Sequence, residues 1–380
     1  MALNEIRSRI DSIDTQIADL LKQRMDIVGE VAESKRETGK SINDHARERE
    51  VINRVTKIAG DEYAPYVKDI YRLMMELSRT YQSTKLMVPS ETRDRLARYC
   101  AEGEGKKLPN RALVACQGSE GAYAQQACEH VFEYPDILYF SSFDGVFGAV
   151  EKGMCEYGIL PVENSTAGSV TQVYDLMEKH SFQIVGACRL RIDHRLMRRK
   201  GTKGKITTVY SHEQALRQCS DYLSGHPEIT AVQMHNTASA AKFVAESDRD
   251  DVAVIASKAC ADQYSLEIVD ESVSNEKINT TRFICISRKP EIYPGANKVS
   301  IMFNLPNEAG ALNAITSRLA IAGVSVTKLE SRPIPGQDFA FRFFFDMEVD
   351  LHDPDMCKLI AEIEARTDHF VFLGAYREIM

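Results

Sequence analysis

Two groups of residues have the types and spacing for chemistry. The first is Glu163, Asn164, Ser165 and Thr166, a carboxylate, an amide and two hydroxyls that follow an apolar run over residues 158–162. The run predicts a buried strand, and Gly168 then permits a tight turn into a helix from about residue 170. Ligands of open α/β sheets lie off the carboxyl ends of strands, and the next helix start offers free N–H groups to an anion. An ordinary capped loop reads the same way from this stretch alone. The second group is cationic. Arg24 stands inside the apolar stripe Ile6, Ile10, Ile13, Ile17, Leu20, Ile27 and Val31, and Lys35 follows it eleven residues later. On one helix that is three turns and about 20° away, so both can address one ligand from opposite ends. Arg7 lies seventeen residues before Arg24. That is about 25 Å along the axis and about 100° around it, so Arg7 can join them only from a second copy of the chain.

The elements that position these cations are three helices. A second helix starts with Asn43 or Asp44 as its cap and carries Arg47 and Glu48 ahead of the apolar Val51, Ile52, Val55 and Ile58. A third follows a turn over residues 60–65 and places Ser78 and Gln82 in register with Tyr71 and Met74. Buried polar groups are costly unless paired, so polar side chains on the inner stripes imply a hydrated or liganded cavity. Two or three cations, one carboxylate and two neutral donors suit a small dicarboxylate that carries a hydroxyl. Each cation taken singly also reads as a solvated side chain.

The chain as a whole has 380 residues, more than one compact core holds, so two or three domains are expected. A net charge of -8 lacks the basic field that nucleic acid or an anionic membrane surface requires. No apolar run is long enough to cross a membrane and the N-terminus lacks a signal-peptide core, so a cytoplasmic protein is expected. Nine cysteines without a CxxC read as buried thiols, and nine histidines without HxxxH or HExxH predict no metal site. Residues 89–110 read as a linker. Beyond it, strand–turn–helix patterns start at residues 112, 207, 235 and 252 and predict a two-lobed α/β domain over 111–288 with a basic break near 190–205. A second linker covers 289–296. Residues 297–380 then read strand, helix, strand, strand, helix, strand, a βαββαβ sandwich whose lack of a catalytic set suits binding or dimerisation.

The order and spacing of Arg7, Arg24, Lys35, Asp44, Arg47, Glu48, Ser78 and Gln82 resemble the active-site set of the all-helical chorismate mutases, over residues 1–88. That resemblance implies an intertwined helical dimer in which an arginine of the first helix enters the partner's site, and a Claisen rearrangement of chorismate to prephenate without cofactor. Such catalysis is orientation and electrostatics. It further implies that Arg7, Arg24 and Arg47 grip carboxylates, that Lys35 and Gln82 donate to the breaking ether oxygen, and that Glu48 holds the ring hydroxyl. Asp44 and Ser78 would contribute to substrate binding.

Gly118-Ser-Glu-Gly-Ala-Tyr-Ala124, Pro161-Val-Glu-Asn-Ser165, Val209-Tyr-Ser-His212, Gln218-Cys219 and Asn279-Thr-Thr-Arg-Phe283 resemble the successive motifs of prephenate dehydratases. The fold implied is that of two-lobed periplasmic binding proteins, and the reaction is loss of hydroxyl and carbon dioxide from prephenate to give phenylpyruvate. Thr281 would be the donor to the leaving hydroxyl, with Glu163, Asn164, Ser211, His212 and Gln218 lining the site. Arg282 would bind a carboxylate or hold its loop. Ala124 stands where the family usually has serine and Ser119 where it has proline, which implies a weakened substrate contact.

Asn307-Glu-Ala-Gly-Ala-Leu312 and Glu330-Ser-Arg-Pro333 resemble the regulatory motifs of ACT domains in this enzyme family. The resemblance makes Asn307, Gly310, Ala311, Leu312, Glu330, Ser331, Arg332 and Pro333 candidates for binding phenylalanine at a dimer interface, with Asn313 in place of a usual valine. A dimer or higher homo-oligomer, feedback inhibition by phenylalanine, and no metal or cofactor are the resulting expectations. An arogenate-preferring dehydratase and a non-catalytic amino-acid-binding regulator are the alternatives.

Overall fold

The computed structural model describes residues 3–38, 44–85, 90–308, 310–337 and 340–379. Asn43, the alternative cap of the second helix, and Ala309 and Phe339, at the expected starts of a helix and a strand, lie outside the described residues. The chain divides into two units, Met1–Glu91 and Thr92–Met380.

The first unit is helical. Helix α1 is Leu3–Thr38 and α2 is His45–Lys85. Asp44 caps α2, its carboxylate accepting the Arg47 N–H at 3.0 Å. Gly60 interrupts α2 with φ 71° and ψ 164°, a conformation open to a residue without Cβ, so the expected turn sits there as a break between two helical stretches. Gly29 and Ala32 of α1 are buried, and a Cβ on Gly29 would stand 3.5 Å from the Tyr81 ring. The apolar stripe of α1 is not buried in the single chain. Ile6, Ile10, Ile13, Ile17, Leu20, Ile27 and Val31 are each 40% to 64% exposed.

The second unit begins with helix α3, Glu91–Gly103, inside the stretch expected to be linker. Its Leu96, Tyr99, Cys100 and Gly103 recur at helical spacing, and Leu96 and Cys100 are buried in the C-terminal core. Full burial of a leucine contributes about 2 kcal/mol, and Leu96 with Cys100 docks the helix on that core.

The chain then builds β1 Arg111–Gln117, α4 Tyr123–Val131, β2 Tyr134–Phe140, α5 Phe143–Glu151, β3 Tyr157–Asn164, the short β4 Gly168–Ser169, α6 Thr171–Met177 and β5 Gln183–Arg191. It crosses to a second lobe made of β6 His194–Arg199, β7 Thr208–His212, α7 Glu213–Gln218, α8 Ser220–Ser224, β8 Thr230–Met234, α9 Thr237–Glu246, β9 Val252–Ser257, α10 Lys258–Tyr264 and β10 Leu266–Asp270. It returns through β11, Thr280–Ser287, which runs antiparallel between β3 and β5. The first lobe has the order β5-β11-β3-β1-β2, and the second β10-β6-β9-β7-β8. β3 is buried over most of its length because α4 covers one face of the sheet and α5 with α6 the other.

The C-terminal part is β12 Lys298–Leu305, α11 Ala311–Ile321, β13 Ser325–Pro333, β14 Phe341–Glu348, α12 Pro354–Glu364, β15 Asp368–Tyr376 and β16 Glu378–Ile379. Its four-stranded antiparallel sheet has the order β13-β14-β12-β15. Helices α11, α12 and α3 pack on one face, while Met302, Phe344 and Tyr376 on the other join the core of the first lobe. The residues after β15 continue into that lobe, because β16 pairs parallel with β5. A close approach makes this possible: a Cβ on Gly374 would stand 2.1 Å from the Ile184 carbonyl oxygen.

Candidate functional sites

In the helical unit, Arg24 reaches from α1 to α2, its guanidinium donating to Ser78 Oγ at 2.6 Å and lying 3.3 Å from Met75 Sδ. Burial pulls its pKa below the ordinary arginine value, opposed by the neighbouring Tyr71. Ser78 Oγ in turn donates a hydrogen bond to the Met74 carbonyl at 2.7 Å. Gln82, one turn on, is 7% exposed and its Oε1 is buried with no hydrogen-bond partner among the described residues. A buried amide oxygen without a partner, one turn from the serine that Arg24 contacts, is a ready contact for a polar ligand. Glu48 is half-buried and ion-paired with Arg79, which the sequence reading did not single out. Lys35 is half-buried on α1. Arg7 is exposed near the start of the same helix. Arg47 pairs with Glu50 at 2.7 Å and is 57% exposed, so within one chain it faces solvent.

In the α/β unit, side chains from both lobes meet at the end of β3. Asn164 Nδ2 donates to Thr281 Oγ1 at 2.9 Å and to Asn279 Oδ1 at 2.7 Å. Its Oδ1 accepts from Thr166 Oγ1 at 2.8 Å and from the backbone N–H groups of Thr166 and Ala167. Gln218, at the end of α7, donates to Thr166 Oγ1 at 3.1 Å across the lobes. His194 Nε2 lies 3.0 Å from Gln218 Oε1, and Nδ1 lies 3.3 Å from the Tyr123 hydroxyl. Burial holds the His194 pKa below 6.5 against the raising effect of Gln218, so the ring is neutral and Nε2–H donates to the amide oxygen. That fixes the Gln218 amide with its nitrogen toward Thr166. Because Thr281 Oγ1 already accepts from Asn164, its own hydroxyl hydrogen is directed elsewhere.

Four further expected site residues have partners outside this cluster. Ser211 is fully buried and donates to the Ile255 carbonyl at 2.5 Å, inside the second sheet. His212 caps α7, its ring accepting the Gln214 N–H at 3.3 Å. Glu163 and Arg282 precede and follow members of the cluster, and successive strand residues face opposite sides. Glu163 bonds Lys328 at 2.9 Å. Arg282, 6% exposed, pairs with Asp346 and Glu378. His194 and Lys328 had no motif to mark them, whereas Tyr123 and Asn279 stood inside motifs without being singled out.

In the C-terminal sheet, Gly310 precedes α11 with φ 94°, and Asn307 is exposed. The edge strand β13 alternates: Lys328, Glu330 and Arg332 are half-buried, while Ser331 and Pro333 are exposed. Glu330 accepts from Ser169 Oγ at 2.6 Å and Arg332 forms a two-point contact with Asp175 at 2.8 and 3.1 Å. Half of this effector motif therefore engages the first lobe.

Comparison with known proteins assigns each part. Family models match over residues 6–83 (chorismate mutase type II), 114–291 (prephenate dehydratase) and 299–356 (ACT domain). The chain is 31% identical over 373 residues to a bifunctional chorismate mutase/prephenate dehydratase of Neisseria gonorrhoeae, covering 97% of this chain and 95% of the relative. Among solved structures, it is similar to one described as GqqA, a novel type of quorum quenching acylase, with TM-score 0.64 and 30% identity over 70% of this chain and 98% of that one. A prephenate dehydratase of Arthrobacter aurescens in complex with L-Phe shares the fold, with TM-score 0.63 and 24% identity over 70% of this chain and 89% of that one. With all three parts matched in order and a relative aligned across nearly its whole length, the chain belongs to the bifunctional chorismate mutase/prephenate dehydratase family of phenylalanine biosynthesis.

Proposed function

We propose that Arg24, Lys35, Ser78 and Gln82 form the mutase site on the facing sides of α1 and α2, with Glu48 held by Arg79 at its edge. The arginine and lysine would grip carboxylates and donate to the ether oxygen as it breaks. Arg7 would enter from a second chain, in keeping with the exposed stripe of α1: seven large aliphatic side chains on one helix face are more apolar surface than a lone chain ordinarily leaves open. Arg47 would turn from Glu50 toward substrate on assembly or binding.

In the dehydratase the observation that carries the reading is the hydrogen bond from Asn164 to Thr281. It frees the threonine hydrogen to be donated to the ring hydroxyl of prephenate. Loss of that hydroxyl as water and of the ring carboxylate as carbon dioxide leaves the electron pair of the broken carbon–carbon bond to complete the aromatic ring of phenylpyruvate. Gln218 and Thr166 would hold the side chain of the substrate. The C-terminal sheet would bind phenylalanine at Asn307, Gly310, Ala311, Leu312 and Ser331, completed by a second copy along β13, and so inhibit the dehydratase. The protein would act as a cytoplasmic dimer or higher homo-oligomer.

The test is to supply the purified protein with chorismate alone and quantify prephenate and phenylpyruvate over time, with and without phenylalanine. Phenylpyruvate that forms without added factors and is suppressed by phenylalanine is the expected result. Prephenate that accumulates would overturn the assigned dehydratase site, and chorismate left unconsumed would overturn the mutase site.

A further inference from the structure

Thr281 lies opposite Asn164 in the β11–β3 ladder, and Arg282 lies opposite Glu163. One face of this strand pair thus carries the polar cluster, and the other face, one residue along each strand, carries a charged pair. The C-terminal sheet grips that charged pair. Lys328 Nζ donates to Glu163 Oε1 at 2.9 Å and to Ser169 Oγ at 2.7 Å, and the Ser169 hydroxyl donates to Glu330. Arg282 contacts Asp346 of β14, and its Nε lies 2.8 Å from Glu378 of β16. It also donates to the Tyr376 hydroxyl at 2.7 Å. Glu378 in turn pairs with Lys298 at 2.7 Å and Arg189 at 3.2 Å. A buried guanidinium between two carboxylates, and a buried carboxylate among three cations, leave little freedom to slide, because any separation uncovers a desolvated charge.

We propose that Glu163 and Arg282 are positioning residues through which the C-terminal sheet holds Asn164 and Thr281 in hydrogen-bonding register from behind. The inference rests on the assignment of dehydration to the Asn164–Thr281 cluster. A displacement of β13 or β14 then reaches each member of that pair across a single peptide unit. The two grips differ in kind. Arg282 and Glu378 are 6% and 5% exposed, whereas Glu163 is 35% exposed against a Lys328 that is 15% exposed. Water can replace the lysine at Glu163, so this is the contact that can open without unfolding the sheet.

The experiment is Lys328→Met in the full chain, with Lys328→Arg as rescue and the mutase activity of the same chain as internal control. Dehydratase kcat is expected to fall about tenfold in K328M with KM for prephenate within about twofold, and K328R to recover most of the loss. Amide exchange in substrate-free protein is expected to quicken at residues 163–169 and 280–282 in K328M and, at 280–282, in Asp346→Asn. A folded K328M with wild-type kcat and wild-type exchange overturns the proposal. If the wild-type chain does not dehydrate prephenate, the assignment of the reaction fails, and the exchange comparison still decides whether the sheet holds these strand ends.

Discussion

Asn164 and Thr281 stand on neighbouring antiparallel strands with the amide nitrogen of one 2.9 Å from the hydroxyl of the other. The amide donates, so the hydroxyl can give its hydrogen to a ligand. Thr281→Val keeps the shape and removes both functions. It is expected to lower dehydratase kcat by about 10²-fold, the usual reach of one proton donor. Thr281→Ser should retain most of the rate. Turnover of prephenate by both variants checks this, and mutase activity on chorismate should be unchanged in each.

Substitution of Lys35, proposed above as a donor in the mutase site, tests binding against catalysis. A donor to an ether oxygen that gains charge as the bond breaks acts more strongly in the transition state than in the ground state. Lys35→Ala should therefore lower kcat by at least about 10²-fold while KM for chorismate changes by less than about tenfold. A mutant with unchanged kcat and raised KM would reassign Lys35 to ground-state binding.

Arg7 and Arg24 share a single continuous helix, so one chain cannot bring both to one ligand. Arg7→Ala and Arg24→Ala should each abolish mutase activity. Mixed as unfolded chains and refolded together, they should form hybrid dimers in which one of the two sites has both arginines. Random pairing makes hybrids half the dimers, so about a quarter of the wild-type activity should return. No recovery from the mixture would place Arg7 outside the site.

Much of this architecture is written in local sequence patterns. The C-terminal βαββαβ order follows from the alternation of short apolar runs with helical stretches, and the break in α2 from Gly60 itself. The polar cluster was legible where a strand's apolar run ended, at Asn164, and in the motif around Thr281. Which neighbour of each faces the cleft was not legible. Alternation along a strand says that Glu163 and Asn164 point to opposite sides, but the docking of a sheet more than 150 residues away decides which side is open. The same long-range packing hid α3. The stretch reads as a linker together with the Gly- and charge-rich residues 102–110, and the core that receives Leu96 and Cys100 is what holds it as a helix.

His194 makes the dehydratase sensitive to acid. Burial lowers its pKa in the folded protein below 6.5, while the unfolded chain titrates near that value. Between the two, the unfolded chain binds the proton and the folded one does not, so stability rises with pH across this window. The contribution is complete above about pH 6.5 and is lost as pH falls below it, at up to about 1.4 kcal/mol per unit. A protonated ring would keep its Nε2–H on Gln218 and turn Nδ1 into a second donor, toward the Tyr123 hydroxyl, so acid acts here by placing a charge in a buried site. Dehydratase activity and the unfolding midpoint of its unit should both drop from about pH 6.5 downward, earlier than mutase activity does. His194→Gln, which cannot titrate, should flatten that limb even if its rate at neutral pH is lower. An acid limb identical in the variant and the wild type would move the sensitivity to other groups.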